Sequence, residues 1–203
     1  MTALPRYKYT LDEYLELDAK SEARLEYWDG EVFDMSGGSD NHDQIEGNVF
    51  SYLKLRTKER RCLIFTGNMR IRVPSMPPYR YGDTSALCGQ PQFVKMGGVD
   101  VLTNPALIIE VLFDSTESYD RGDKFTNYKS IPSFVEYLLI AQHRPHVSQY
   151  IRQTDGSWLQ YEFNDLAEVV RLTSVGSELS LQEIYENVTF DASARNPHLR
   201  PLE

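Results

Sequence analysis

The sequence predicts a single α+β domain whose strands are grouped in the middle of the chain. Three observations predict it: a capping box at Thr10–Glu13 that opens a helix, a nearly unbroken apolar run at Ala106–Leu112, and two Asp-Gly dipeptides between alternating segments. The length of 203 residues suits one domain. We expect this domain to cover residues 1–190 and to be followed by a loose tail at 191–203.

Composition excludes several classes of protein. A hydrophobic share of 41%, with 13 Tyr and 9 Phe, argues against disorder, and the sequence has no apolar run long enough to span a membrane. The N-terminus lacks an apolar signal region. Cys62 and Cys88 are too few for a disulfide framework or a cysteine zinc site, so we expect a reduced, cytoplasmic protein. The net charge of −9 argues at first against a nucleic-acid binder.

The elements of the first half follow from caps, turns and helical spacing. The spacing of Ile45, Val49 and Leu53 predicts a long helix. Pro74 ends the predicted strand Met69–Val73. In chain order, the predicted elements are a short helix from Thr10, a hairpin of Arg24–Tyr27 and Glu31–Met35, a helix from Asn41 to Thr57, and a hairpin of Leu63–Thr66 and Met69–Val73.

The second half begins with two strands that we expect to be neighbours in one sheet. The apolar run at Ala106–Leu112 is typical of a strand buried on both faces, and Gln90–Gly98 is predicted to be a loop. In chain order, the predicted elements are strand Tyr81–Cys88, strand Ala106–Leu112, a helix around Asp120–Lys129, strand Glu136–Ala141, a hairpin of His146–Arg152 and Trp158–Phe163, strand Val169–Leu172 and helix Leu181–Glu186.

The charge is unevenly distributed along the chain. Residues 54–80 hold eight Lys and Arg and one Glu, a net +7, so the rest of the chain carries −16. This asymmetry indicates either an anion-binding patch or a solvated helix face followed by a charged strand edge. Tyr79 and Tyr81 flank Arg80 and either stack on bases or belong to a strand edge.

Acidic residues on the two neighbouring strands indicate chemistry. Glu110 interrupts the apolar strand, and burying a lone carboxylate is costly without a cation or hydrogen bonds. With Asp83 on the preceding strand, it could bind one hard cation such as Mg²⁺, and Lys124 follows on the next helix. The structural alternatives are a turn-capping role for Asp83 and a salt bridge from Glu110 to an arginine or to Lys124.

Several stretches in this order resemble the PD-(D/E)XK nuclease superfamily and, within it, the bacterial Uma-type family of restriction-endonuclease-like proteins. The resemblance runs from about Tyr9 to Phe190. The matching stretches are Tyr9–Tyr14, Arg24–Val32, Met35–Gly37 with His42, Tyr81–Asp83 through Cys88-Gly89, Asn104–Leu112 with Ser115-Thr116, Asp120–Lys124 through Tyr128, and Ile131–Tyr137.

The resemblance implies a restriction endonuclease-like core, a mixed β-sheet flanked by helices, and metal-dependent hydrolysis of phosphodiester bonds. It makes Asp83 and Glu110 metal ligands, with Mg²⁺ or Mn²⁺ as the cofactor. The superfamily lysine is expected at Leu112, so Lys124 is similar to the relocated lysine of some members. Glu31, and less surely Glu26, matches the upstream acid that many such nucleases use as an additional metal or water contact.

Other positions of the family pattern carry further expectations. His42 matches a family position near the site, where it would contact phosphate or aid proton transfer, and a surface or capping role is the alternative. Gly82 stands where the family usually has proline. Phe113 stands where it usually has serine, which alters a supporting hydrogen bond.

The sequence therefore predicts an endonuclease that cleaves DNA. The residues expected to contact phosphates are basic and lie at the end of the long helix and just beyond it; they are Lys54, Lys58, Arg60 and Arg61. A symmetric homodimer is expected if both strands are cut, because one site cuts one strand. The alternatives are a non-catalytic nucleic-acid- or protein-binding module that retains the nuclease fold, and a hydrolase of small phosphoesters.

Overall fold

The computed structural model describes residues 7–35, 37–113 and 115–190. The predicted tail at 191–203 lies outside the described residues. Among the described helices, none has the length and apolar character that crossing a bilayer requires. The helices are α1 (Leu11–Lys20), α2 (Asp40–Arg56), α3 (Glu117–Tyr119), α4 (Phe125–Tyr128) and α5 (Leu181–Ile184), with a 3-10 turn at Lys58–Arg60 and a π-helical turn at Asp120–Lys124 that joins α3 to α4.

The strands are organised in one large mixed sheet, one smaller sheet and two hairpins. The large sheet has the order β12-β11-β10-β9-β6-β3, in which only β9 and β10 run parallel. Its strands are β3 (Cys62–Thr66), β6 (Thr84–Cys88), β9 (Leu107–Leu112), β10 (Glu136–Ala141), β11 (Val147–Arg152) and β12 (Trp158–Phe163). The predicted mixed sheet flanked by helices is confirmed.

The remaining strands pack around this sheet. The smaller sheet, of order β5-β4-β8-β7, and the two hairpins complete the layers. Their strands are β1 (Leu25–Trp28), β2 (Glu31–Asp34), β4 (Arg70–Arg72), β5 (Tyr79–Tyr81), β7 (Phe93–Met96), β8 (Val99–Leu102), β13 (Val169–Leu172) and β14 (Ser177–Ser180).

The central strand β9 is buried along its whole length, as its composition predicts. Leu107, Ile109 and Val111 face the core formed with α2, β13, β14 and α5. Ile108 and Leu112 face the opposite core, where Phe125 and Tyr128 of α4 pack. Because side chains alternate along a strand, Glu110 projects from the same face as Ile108 and Leu112, toward α4 and the π turn.

Two sequence predictions about the strands that lead to the central sheet are wrong. Leu63–Thr66 and Met69–Val73 do not form a hairpin, because β3 pairs with β6 in the large sheet while β4 joins the smaller one. The chain changes sheets at Gly67, where an added Cβ would lie 2.5 Å from the guanidinium of Arg24. The predicted strand Tyr81–Cys88 is broken at Gly82-Asp83 into β5 and β6.

The predicted loop Gln90–Gly98 contains a strand. Phe93–Met96 pairs with Val99–Leu102 through a turn at Gly97 and Gly98, both of which have positive φ. The two glycines between short alternating segments are the turn signal that identifies this hairpin.

The cysteines differ from the expected reduced state. Cys62 and Cys88 are directly opposite each other on β3 and β6, and the structure joins them as a disulfide. Their pairing depends on the antiparallel register of two strands that are 26 residues apart, so cysteine number alone does not predict it.

Candidate active site

Asp83 and Glu110 are brought together by the pairing of β6 with β9. Thr84 lies opposite Ile109, so Asp83, immediately before β6, comes beside Glu110. Asp83 Oδ2 accepts a hydrogen bond of 2.7 Å from the backbone N–H of Val111. This bond fixes one carboxylate against the strand that carries the other.

Gly82 allows the backbone to approach this site closely. An added Cβ would lie 2.8 Å from Ile108 Cγ2 and 3.3 Å from Glu110 Oε1. A larger residue therefore requires movement of the strand that carries Glu110. The glycine in this chain accordingly lies in direct packing contact with β9.

Lys124 is buried beside Glu110, on the π turn that joins α3 to α4. Its Nζ lies 3.0 Å from Glu110 Oε1 and 3.2 Å from Asp120 Oδ1. The hydroxyl of Tyr128 lies 3.1 Å from the same Glu110 oxygen. Both contacts use the same carboxylate oxygen of Glu110.

The π turn brings one acidic and one basic side chain of a short helical segment into the site. Asp120 and Lys124 begin and end the turn, and both side chains are buried. Thr116 donates a hydrogen bond of 2.9 Å to Asp120 Oδ2. π-helical turns are frequent at functional sites because the extra residue redirects side chains.

The pKa values of the buried pair follow from burial and charge. Burial raises the pKa of Glu110 well above its ordinary value, and Asp120 and Asp83 add to the rise against the opposing charge of Lys124. Burial lowers the pKa of Lys124, but Glu110 and Asp120 outweigh it, and the pKa is raised well above the usual value. The lysine therefore stays charged, while the acid cluster favours additional positive charge.

His42 lies on the first turn of α2, beside Asp83. Its backbone N–H donates to the side chain of Ser39, the N-cap of the helix, and its Nε2 lies 3.4 Å from Asp83 Oδ2. Burial lowers the pKa of His42, but the hydrogen bond and charge of Asp83 outweigh burial, so the pKa is raised. Burial raises the pKa of Asp83, and His42 and then Lys124 outweigh it, so that pKa is lowered.

Arg24 and Glu46 complete the charged surroundings of Asp83. A terminal guanidinium nitrogen of Arg24 lies 3.9 Å from Asp83 Oδ1. The charge of Asp83 raises the pKa of Glu46, and the charge of Arg24 lowers it. Burial is the largest cause of the raised pKa of Glu46, followed by the charge of Asp83. The charged groups therefore extend from Asp83 onto the second turn of α2.

These side chains line a cavity of about 260 Å³ at the end of β6 and β9. Its charged lining residues are Arg24, Asp34, His42, Asp83, Glu110, Asp120 and Lys124. Carboxylate oxygens are the ligands that Mg²⁺ and Mn²⁺ prefer, so the donor set of Asp83, Glu110 and Asp120 fits either ion. A second set of possible donors, His42, Asp43 and Glu46, has its ligand atoms within 4.8 Å of one another.

Glu31 does not lie with Asp83 and Glu110, contrary to expectation. It begins β2 opposite Trp28 and lines an adjoining cavity. Of the two upstream acids, Glu26 is the one that approaches the site: it accepts a 2.9 Å hydrogen bond from the backbone N–H of Tyr81, and its charge raises the pKa of Lys124. The two acids share one face of the hairpin and line the same adjoining cavity, and only Glu26 also contacts the backbone of β5 through Tyr81.

The basic residues expected to contact phosphates lie far from this cavity. Lys54 is near the C-terminal end of α2, and Lys58, Arg60 and Arg61 are in the turn beyond it. The rise of a helix places Lys54 about 18 Å along the axis from His42. The structure therefore separates this basic segment from the acidic cavity.

Sequence reasoning missed Asp120, Arg24 and Tyr128. Asp120 precedes Lys124 by four residues, and that spacing places two residues on one helix face, so it was a usable signal. Arg24 and Tyr128 give no such signal, because they reach the site through tertiary packing. Tyr79 and Tyr81 are buried, with their hydroxyls directed at Asp18, so they are not available to stack on bases.

Comparisons with known proteins bear on the family and the fold of the chain. Two uncharacterized proteins of Synechocystis sp. are similar: one is 31% identical over 188 residues, covering 92% of this chain and 96% of the relative, and the other is 34% identical over 153 residues, covering 75% and 86%. A crystal structure titled as a putative nuclease belonging to DUF820, from Anabaena variabilis, matches with a TM-score of 0.69 and 19% identity over 87% of this chain and 97% of that one. This likeness shows a restriction endonuclease-like fold.

The family model Uma2, described as "Putative restriction endonuclease", matches residues 11–183. The chain therefore belongs to the Uma2 family.

Proposed function

We propose that this protein is a metal-dependent endonuclease that hydrolyses phosphodiester bonds of DNA. The observation that carries the proposal is the buried Glu110–Lys124 pair, which lies in one cavity with Asp83 and Asp120. Strongly perturbed acids and a charged lysine in a cleft are typical of catalytic sites. Membership of the Uma2 family supports a nuclease reaction.

The chain supplies three functions at the reacting phosphate. Lys124 is the charged donor that stabilises negative charge developing on the phosphate oxygens, and Asp120 holds its ammonium group in place. Asp83 and Glu110 provide the oxygen donors for Mg²⁺ or Mn²⁺. When bound, such an ion polarises the phosphate and lowers the pKa of water.

His42 has a separate part in the proposal. Its raised pKa and its contact with Asp83 suit a group that holds a proton near the leaving oxygen. Its Nδ1 is buried and makes no hydrogen bond to the part of the chain that the structure describes. Glu31 and the Lys54–Arg61 segment stand apart from this cavity and are left out of the proposed reaction. A homodimer stays a prediction, since the structure is of one chain.

A nicking assay on supercoiled plasmid tests the proposal. The wild-type protein should nick in Mg²⁺ or Mn²⁺ and not in EDTA. Glu110→Gln, which preserves shape and removes the charge, should lower the rate at least about 100-fold. Glu178→Gln is the matched control, because Glu178 is exposed on β14 and should keep the wild-type rate.

Two outcomes would contradict the proposal. Nicking by Glu110→Gln at the wild-type rate would remove Glu110 from the reaction. A pure wild-type protein that binds DNA but never cleaves it in either ion would favour the alternative, a non-catalytic module that retains the nuclease fold.

A further inference from the structure

A second cavity lies next to the proposed catalytic cavity, and the reaction above does not use it. Its volume is about 390 Å³, within the range of small-ligand sites. Its walls carry the aromatic side chains of Trp28, Phe33 and Tyr119. Trp28 and Tyr119 meet edge to face with ring centroids 5.5 Å apart, and Phe33 is 45% exposed. We call this the aromatic cavity.

The aromatic cavity and the catalytic cavity share a wall. Met35, Ser115 and Thr116 line both. The ring of Tyr119 also has Lys124 Nζ 5.9 Å from its centroid. A ligand in the aromatic cavity is therefore a close neighbour of a phosphate that contacts Lys124.

Arg80 lines the aromatic cavity, and two of its buried guanidinium nitrogens lack a hydrogen-bond acceptor among the described residues. Its side chain is 1% exposed, and one terminal nitrogen donates to the backbone oxygen of Tyr79 at 2.7 Å. Its Nε and its other terminal nitrogen make no hydrogen bond to the described residues, although Nε lies 3.6 Å from Glu26 Oε2. Buried donors without acceptors are unfavourable, so a ligand that supplies acceptors is favoured here.

These features together identify the class of ligand. Aromatic rings favour a flat ligand that stacks on them. A planar guanidinium favours a ligand edge with two adjacent hydrogen-bond acceptors. Nucleobases have both properties, as with O6 and N7 of guanine. Because the two cavities share a wall, a base in the aromatic cavity would lie next to its own phosphate in the catalytic cavity.

We propose that the aromatic cavity binds one unstacked nucleobase of the strand whose phosphate lies in the catalytic cavity. The inference rests on the proposed function for the position of that phosphate. The base must leave its stack to enter, so single-stranded or locally opened nucleic acid is the preferred substrate. Trp28 and Tyr119 provide the stacking surface, and Arg80 contacts the edge of the base.

Equilibrium binding of two single-stranded octamers tests the proposal. One is a mixed-sequence DNA octamer, and the other has an abasic tetrahydrofuran at every position. Both are titrated by fluorescence anisotropy in Ca²⁺. The wild-type protein should bind the DNA octamer about tenfold or more tightly than the abasic one, the size of one base stacked on an aromatic side chain.

Variants assign the difference to the aromatic cavity. Trp28→Ala should lose the preference for the DNA octamer and should bind the abasic octamer as the wild type does. Trp28→Phe keeps a stacking ring and should retain most of the preference. Tyr161→Ala is the matched control, because Tyr161 is 46% exposed on β12, on the outer strand of the large sheet.

The outcomes separate this inference from the proposed function. A wild-type protein that binds the DNA octamer no tighter than the abasic octamer, including no binding of either, overturns the nucleobase site. A Trp28→Ala variant that keeps the full preference, or that weakens both octamers equally, also overturns it. If the octamer results are as expected but plasmid is never nicked, the proposed nuclease reaction fails while the nucleobase site stands.

Discussion

At the scale of single residues, the molecule places a charged pair where apolar packing would otherwise continue. Glu110 and Lys124 are each 3% exposed and lie on the side of β9 where Phe125 and Tyr128 form an apolar core. Breaking such a buried pair is costly, and an apolar pair of the same volume is often as stable. A pair placed at the rim of a cavity is therefore better explained by chemistry than by stability.

Lys124→Met tests this explanation. The variant should fold, because the pKa of Glu110 is raised and the acid can take up a proton once the lysine is absent. The rate of the chemical step should fall about 100-fold or more, because the donor that stabilises the developing charge is lost. The measurement is single-turnover cleavage with protein in excess, which separates chemistry from binding.

Lys129→Met is the control for this change. Lys129 is an exposed lysine five residues further along, with its Nζ 4.0 Å from the centre of the Phe125 ring, and it is outside the cavity. It should keep the wild-type rate. Equal single-turnover rates for Lys124→Met and the wild type would show that the lysine does not act on the phosphate.

Residue type and order were enough to single out three of the residues that meet in the cavity. Glu110 was conspicuous as a charge in an apolar strand, chain order put Asp83 and Lys124 near it, and the family pattern added His42. Asp120 was not assigned a role, although its spacing of four residues from Lys124 was a usable signal for the contact that the structure shows. Glu26 and Glu31 share one face of the β1–β2 hairpin, and the contact of Glu26 with the backbone of Tyr81, which distinguishes the two acids, depends on tertiary packing that the sequence does not reveal.

At the scale of elements, α2 connects the acidic cavity to the core. Its first turn carries His42, and Ile45, Val49 and Leu53 are buried at helical spacing, as predicted. The helix begins at the Ser39 cap, whose hydroxyl accepts from the backbone N–H of His42 at 3.1 Å. The cap therefore stabilises the same turn that holds His42 against Asp83.

Ser39→Ala should lower the free energy of unfolding by about 1 kcal/mol, because the first-turn N–H groups lose their acceptor. Ser51→Ala makes the same chemical change at an exposed position inside the helix, where alanine is the better helix former. It should be neutral or stabilising by up to about 0.5 kcal/mol. Urea denaturation of both variants measures the difference. Equal losses in the two variants would contradict a capping role for Ser39.

Elements with strong local signals were predictable, and those that change sheets were not. The capping box at Thr10–Glu13, the long helix and the strand at Ala106–Leu112 depend on neighbouring residues, so periodicity and turn chemistry identify them. Partner choice between β3, β4 and β6 depends on contacts formed across the whole fold. For that reason the hairpin at Gly67 was wrong although its two strands exist.

At the scale of the whole molecule, the charge is arranged in three dimensions differently from its order along the chain. Three of the eight cations in residues 54–80 form ion pairs inside the protein: Arg56 with Glu183, Arg70 with Asp18, and Arg80 with Glu26. Acidic side chains are concentrated in the lining of the catalytic cavity, in a chain whose net charge is −9. A phosphate can approach such a cavity only if positive charge accumulates there, which makes cation binding a property to measure directly.

Saturating Mn²⁺ should raise the melting temperature of the wild-type protein. At 100 times the dissociation constant, the ion stabilises the folded state by about 2.7 kcal/mol. For a chain of this size, that corresponds to roughly 5–10 °C by calorimetry, and EDTA should reverse the shift.

Asp83→Asn should abolish the shift, because it removes a ligand of the proposed site. Asp43→Asn should keep the shift, because Asp43 belongs to the other set of donors, with His42 and Glu46. The opposite pattern would assign the ion to that set on α2, and an unshifted wild type would contradict a cation site in the cavity.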